Sequence, residues 1–146
     1  MSDIIFVCTG NTCRSPMAEA IAKSLKPDAV FSSMGVAAAS GSPASKNAFL
    51  VMEEAGLSLD SFKSTKLDKK KLANAKLVLT MTKGHLSQVK AVCPKSNAHT
   101  LADFAGESGD VQDPFGGGLD EYREIAGRIK ELIMLCFEKT DFIRFA

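Results

Sequence analysis

Asp3-Ile4-Ile5-Phe6-Val7, then Cys8-Thr9-Gly10-Asn11-Thr12-Cys13-Arg14-Ser15, then Pro16-Met17-Ala18-Glu19-Ala20-Ile21 reads as strand, tight turn and helix in immediate succession. The first segment is short, apolar and rich in branched side chains, as expected of a strand buried on both faces of a parallel sheet. Pro16 suits a first helical turn, and Met17, Ala20, Ile21, Ser24 and Leu25 continue at helical spacing. Cys8 therefore stands at the carboxyl end of a strand, with a helix N-terminus close behind it. A helix start leaves its first amides unpaired and carries partial positive charge, so a turn closing onto one gathers N–H groups around an oxyanion.

The residues of the turn suit a phosphate cradle. Gly10 is expected at positive φ, Asn11 tolerates left-handed backbone, and the planar Arg14 guanidinium matches two phosphate oxygens. The same field favours the thiolate of Cys8, and Ser15 offers it a hydrogen bond. Cys8 and Cys13 also admit a reading as small buried residues, the usual fate of free cysteine, but that leaves the accompanying Gly, Asn, Arg and Ser unexplained. Metal binding finds no support, because His85 and His99 are isolated and Cys93 and Cys136 lie far along the chain.

Val7-Cys8-Thr9-Gly10-Asn11-Thr12-Cys13-Arg14-Ser15-Pro16-Met17-Ala18-Glu19 resembles the signature of the low-molecular-weight protein tyrosine phosphatase family, and the likeness runs over the whole chain. Asp113-Pro114-Phe115-Gly116-Gly117 resembles the family's Asp-Pro loop, although the dipeptide alone reads more readily as a plain turn. Leu77-Val78-Leu79-Thr80-Met81-Thr82 resembles its third strand. The resemblance implies that Cys8 is a nucleophile forming a phosphocysteine, that Arg14 and the loop residues Thr9, Gly10, Asn11, Thr12, Cys13 and Ser15 bind phosphate, and that Asp113 is the general acid. In-line attack of a thiolate on phosphorus needs positioning, charge stabilisation and a proton for the leaving group, which this set supplies. Like charge on the thiolate and phosphate favours the protonated form of Asp113. The resemblance further implies that Asn11 and Ser33 brace the loop, that a histidine completes that brace where this chain has Phe62, and that Cys13 pairs reversibly with Cys8 under oxidants.

Substrate choice turns on Thr12. Most phosphotyrosine enzymes of the family carry a bulky apolar residue there, and a bacterial branch acting on phosphoarginine, which this chain resembles most, carries threonine. A branched hydroxyl side chain narrows the pocket and can bond a planar guanidine, whereas an aliphatic one prefers an aromatic ring. Phe115 with Gly116 and Gly117 leaves one aromatic wall. Phosphoarginine in proteins is thus the expected substrate, with phosphotyrosine as the alternative. Arsenate reductases share the loop but pass oxidation to two further cysteines; here Met81 stands near the first place and Cys93 is alone. A non-catalytic phosphate-binding or redox module would have no need of Cys8, Arg14 and Asp113 together.

At 146 residues the chain is expected to form one domain over 1–146 with an ordinary core. Strand-like runs at 29–33, 77–81 and 98–101 alternate with helical patterns at about 44–55 and 119–138. That alternation implies an α/β fold with a parallel sheet covered on both faces, a three-layer sandwich. The resemblance adds four strands in the order 2-1-3-4. Ala48, Val51, Met52 and Ala55 should face inward from one helix, and Tyr122, Ile125, Ala126, Ile129, Leu132, Ile133 and Cys136 from the other. Met34, Met52 and Met81 read as core filler. No run of about twenty apolar residues and no basic region before the first apolar stretch are present, so neither membrane span nor secretion signal is expected. The expected location is cytoplasmic, where four cysteines suit a catalytic thiolate better than a disulfide frame. A net charge of +1 gives no general attraction to nucleic acid, and Lys63, Lys66, Lys69, Lys70 and Lys71 read as a solvated face above inward Leu72 and Ala75. The expected partners are phosphorylated proteins. Neither a cofactor nor an oligomeric state is implied.

Overall fold

A computed structural model describes residues 2–139. Met1 and residues 140–146 of the expected domain lie outside the described residues. The elements run β1 (Ile4–Cys8), α1 (Arg14–Leu25), β2 (Phe31–Gly35), α2 (Lys46–Glu54), α3 (Lys69–Asn74), β3 (Leu77–Thr80), α4 (Lys83–Val92), β4 (Ala98–Thr100), α5 (Leu101–Phe104) and α6 (Leu119–Phe137). The four strands are all parallel in the order β2-β1-β3-β4, as the resemblance implied. Among the described residues no helix is long and apolar enough to cross a membrane.

β1 is central and its five residues are all buried. Side chains alternate across a strand, so Ile4, Phe6 and Cys8 join one core with Met17, Ile21, Val51, Met52, Ile129 and Ile133 from α1, α2 and α6. Ile5 and Val7 join a second core with Leu72, Val89 and Cys93 from α3 and α4. Burial on two faces explains why the strand reads as an unbroken apolar run. Each such large aliphatic side chain contributes about 1.5–3 kcal/mol on burial. That packing holds α1, whose 12 residues would be marginal as a free helix. Met34, Met52 and Met81 are buried as expected, and Leu72 and Ala75 turn inward beneath five exposed lysines.

Several boundaries differ from the sequence expectation. β2 runs over Phe31–Gly35 rather than 29–33, because Asp3 and Ile4 both donate to the Val30 carbonyl and the first paired residues are Ile4 and Phe31. β3 and β4 each end one residue early. Thr100, expected inside a strand, also caps α5 by accepting from Asp103 N. α1 buries Ala18 and Ala22 and leaves Ser24 exposed, since it packs against both the sheet and α6. Ala55 is exposed rather than inward: Gly56 at φ 78° ends α2, and Leu57 N returns to Met52 O at 2.8 Å.

Parallel registry brings Gly35 level with Cys8, and this glycine has a job that the sequence reading missed. A Cβ there would stand 2.6 Å from the Thr9 carbonyl oxygen and 2.8 Å from Asn11 N. Both are backbone atoms of the turn, so neither can rotate aside. Gly35→Ala should cost about 1–3 kcal/mol in urea unfolding through overpacking. It should also lower phosphatase kcat/KM by on the order of 10²-fold, because the loop itself must shift.

Candidate active site

The turn after β1 wraps the carboxyl edge of the sheet, where ligands of open parallel sheets bind. Asn11 sits at φ 56°, the one non-glycine residue at positive φ among those described. Gly10, expected to need that region, does not occupy it, and a Cβ on it would meet Thr12 Oγ1 at an ordinary 3.6 Å. The left-handed step falls on Asn11 because its side chain compensates for the strain. Asn11 Oδ1 accepts from Thr65 N at 2.8 Å, and Nδ2 donates to Ser15 Oγ at 2.8 Å and to Ser33 Oγ at 2.9 Å.

The brace expected of Asn11 and Ser33 is therefore present, but a different residue closes it. Ser33 Oγ donates to Glu19 Oε1 at 2.7 Å, and Lys23 Nζ lies 2.7 Å from Glu19 Oε2. Phe62, where the resemblance implied a histidine, is half-buried against the core and lines a neighbouring polar cavity with Glu19, Lys23 and Ser33. A carboxylate only accepts, so Glu19 fixes the direction of this chain. Ser33 gives its proton to Glu19 and accepts from Asn11; Ser15 also accepts from Asn11 and keeps its proton for sulfur. Cys8 Sγ lies 2.9 Å from Ser15 Oγ.

Cys8, Thr9, Gly10, Thr12, Cys13, Arg14, Asp113 and Phe115 line one cavity of about 280 Å³. Asn11, Ser15 and Ser33 lie buried behind it. The structure thus brings together the residues that the sequence reading placed at the site, with Cys8 and Asp113 meeting across 105 positions of sequence. Arg14 is 4% exposed. Its NH1 donates to Val111 O at 3.0 Å and its NH2 to Thr9 Oγ1 at 3.3 Å, with Asp113 Oδ2 3.7 Å from NH2. Five donors less two leaves a planar edge for phosphate. Asp113 Oδ1 accepts from Phe115 N at 2.9 Å, which is the turn that Asp-Pro suggested, and leaves Oδ2 turned toward Arg14. Gly116 at φ 85° lets the loop reverse, and Phe115 stands 82% exposed at the mouth.

Cys13 Sγ donates to Ser45 Oγ at 3.3 Å and lies 3.4 Å from Tyr122 Oη. Tyr122 packs inside α6 as expected, and burial followed by its bond with Cys13 pushes its hydroxyl up to about 12. The four cysteines are free thiols. Cys93 and Cys136 lie in cores on opposite faces of the sheet, and burial pushes Cys136 up to about 12. Among the described residues no cluster of His, Cys, Asp and Glu could hold a metal ion.

His85 is the residue that sequence reasoning missed. It was read as isolated, yet its Nε2 lies 2.8 Å from Thr9 Oγ1. The available signal was its place in the first turn of α4, after the Thr82 cap, on the same sheet edge as Cys8. Burial above all, and next the Arg14 charge, bring His85 down to about 4, against the opposing pull of Asp110 and Asp113. The folded protein resists a proton that the unfolded chain binds at about 6.5, so stability is full above that pH and falls as pH drops toward 4. Between pH 7.5 and 4, wild type should lose about 3 kcal/mol more than His85→Leu in urea titrations.

Comparison with known proteins places this geometry. The family model described as low molecular weight phosphotyrosine protein phosphatase matches residues 3–140. A protein-arginine-phosphatase of Geobacillus stearothermophilus is 41% identical over 140 residues, covering 93% of this chain and 94% of its own. The low molecular weight protein-tyrosine-phosphatase PtpB of Staphylococcus haemolyticus is 40% identical, covering 89% and 94%. Among solved structures, a mutant of the YwlE arginine phosphatase with a phosphorylated active-site serine superposes at TM-score 0.91 with 34% identity, covering 97% of each chain. The chain belongs to the low molecular weight phosphotyrosine protein phosphatase family and is a cysteine-based phosphatase hydrolase.

Proposed function

We propose that this protein removes phosphate from phosphoarginine in proteins, with Cys8 as nucleophile, Arg14 as phosphate ligand and Asp113 as proton donor. The observation that carries the chemistry is the single cavity into which Cys8, Arg14 and Asp113 converge. In the first step the Cys8 sulfur attacks phosphorus, the S–P bond forms, the P–N bond breaks, and Asp113 Oδ2 gives its proton to the departing guanidine nitrogen. In the second, Asp113 takes a proton from water, the water oxygen attacks phosphorus, and thiolate and inorganic phosphate are released. The amides of the turn and Arg14 hold the charge of the equatorial oxygens throughout. Likeness to a relative solved with its active-site serine phosphorylated supports a phosphoryl group carried on the residue at Cys8.

Thr12 supports the choice of phosphoarginine. Its hydroxyl lies 3.9 Å from Cys13 Sγ, at best a weak bond, and lines the cavity free to accept from a guanidinium. Likeness to the protein-arginine-phosphatases of G. stearothermophilus and Bacillus subtilis, the latter 38% identical, points the same way. Phosphotyrosine is the second reading, favoured by the exposed Phe115 ring at the mouth and by likeness to PtpB. A relay of the reductase kind finds no partner here, since Met81 is buried and Cys93 lies in the core beneath α4. Cys13 lines the same cavity as Cys8, which supports a reversible disulfide between them: peroxide oxidises Cys8 to a sulfenic acid, and the Cys13 thiol displaces water from it. Absence of a long apolar helix among the described residues accords with a cytoplasmic enzyme acting on protein substrates.

Rates on a phosphoarginine peptide and a phosphotyrosine peptide test the substrate. Wild type should prefer phosphoarginine, and Thr12→Ile should move the ratio toward phosphotyrosine by roughly ten- to hundred-fold. A wild type that already prefers phosphotyrosine would remove the Thr12 argument and leave the phosphatase chemistry standing. Asp113→Asn should slow hydrolysis of esters with poor leaving groups by roughly 10²–10⁴-fold and barely affect a nitrophenyl ester; equal slowing for both would take Asp113 out of the acid role.

A further inference from the structure

Among the described residues the hydroxyl of Thr9 has two hydrogen-bond neighbours, and both have protons to give. Arg14 NH2 is always a donor and points at Thr9 Oγ1 from 3.3 Å. His85 Nε2, 2.8 Å from the same oxygen, is a donor or an acceptor according to its tautomer. The other ring nitrogen decides which. His85 is 5% exposed, and its Nδ1 has no hydrogen-bond partner among the described residues. With hydrogen on Nδ1, a buried N–H would be left without an acceptor, a rare and costly arrangement; with hydrogen on Nε2, only a lone pair is left over. The Nε2–H form is therefore favoured.

In that form both lone pairs of Thr9 Oγ1 are filled from behind, by Arg14 and by His85. An oxygen saturated as an acceptor has one direction left for its own proton. Thr9 is exposed and lines the phosphate cavity, so that direction is the open side of the pocket. We infer that His85 is a positioning residue that turns the Thr9 hydroxyl into an obligate hydrogen-bond donor toward an oxygen of the bound phosphoryl group. The arrangement also clamps Arg14: Val111 O holds NH1 and Thr9 Oγ1 holds NH2, so the guanidinium keeps its free edge toward the cradle. This inference rests on the reading of the cavity as the phosphoryl site.

Nitrogen NMR of wild type at neutral pH reads the tautomer directly, and the Nδ1–H form would overturn the inference before any variant is made. The binding arm uses inorganic phosphate as a competitive inhibitor of aryl phosphate hydrolysis. His85→Leu and Thr9→Val should each raise its Ki by about five- to ten-fold, and the double variant should be no worse than either single one, because both remove the same donor. Thr9→Ser and His85→Gln, which keep a hydroxyl and an N–H, should stay within about two-fold of wild type. Independent, multiplying effects of the two losses, or a His85→Leu enzyme that binds phosphate as wild type does, would refute the coupling. Should His85→Leu fail to fold, the tautomer and the comparison of Thr9→Val with Thr9→Ser still decide. Failure of phosphate to compete in wild type would instead strike at the reading of the cavity itself.

Discussion

One asparagine in left-handed backbone holds the catalytic edge together. A non-glycine residue in that region costs about 1–2 kcal/mol. At Asn11 the cost is offset by three side-chain hydrogen bonds, each worth on the order of 1 kcal/mol. These bonds tie the turn to α1 through Ser15, to β2 through Ser33 and to the segment before α3 through Thr65. The turn thereby gains a fixed shape before any ligand arrives. Preorganisation of this kind is what electrostatic catalysis requires, because nothing need reorient as charge develops.

Direction matters in this network as much as proximity. Thr65 N fixes the Asn11 amide so that its Nδ2 donates to both serines, Ser33 passes its proton on to Glu19, which can only accept, and Ser15 keeps its own for Cys8. On the opposite wall, His85 plays the converse part: burial keeps it neutral, so no second cation competes with Arg14 beside the cradle.

Arg14 shows how a buried charge is tolerated until an anion comes. Two neutral oxygens, Val111 O and Thr9 Oγ1, accept from it, and the nearest carboxylate stands 3.7 Å away on a half-exposed side chain. Such a distant ion pair contributes little. The charge is held in place without being satisfied, which leaves its field for an anion in the cavity. Cys13 is held too, between Ser45 and Tyr122, at the junction of α1, α2 and α6.

Whatever depends on neighbours along the chain was legible in the order of amino acids alone. The unbroken apolar run of β1 announced a strand buried on both faces, Pro16 and the spacing that follows announced α1, and Cys8 to Ser15 announced an anion cradle. The resemblance supplied Asp113 and the strand order. What went unread were residues that answer to a segment far away. Gly35 carries no signal of its own until parallel registry sets it beneath Thr9 and Asn11; His85 reads as solitary until α4 starts on the edge where β1 ends; Glu19 shows no role of its own until Ser33 comes across from β2. Tertiary structure decided these because a hydrogen bond or a 2.6 Å approach is a property of position in space, and only the packed sheet converts the sequence distances of 14, 76 and 26 residues into contact.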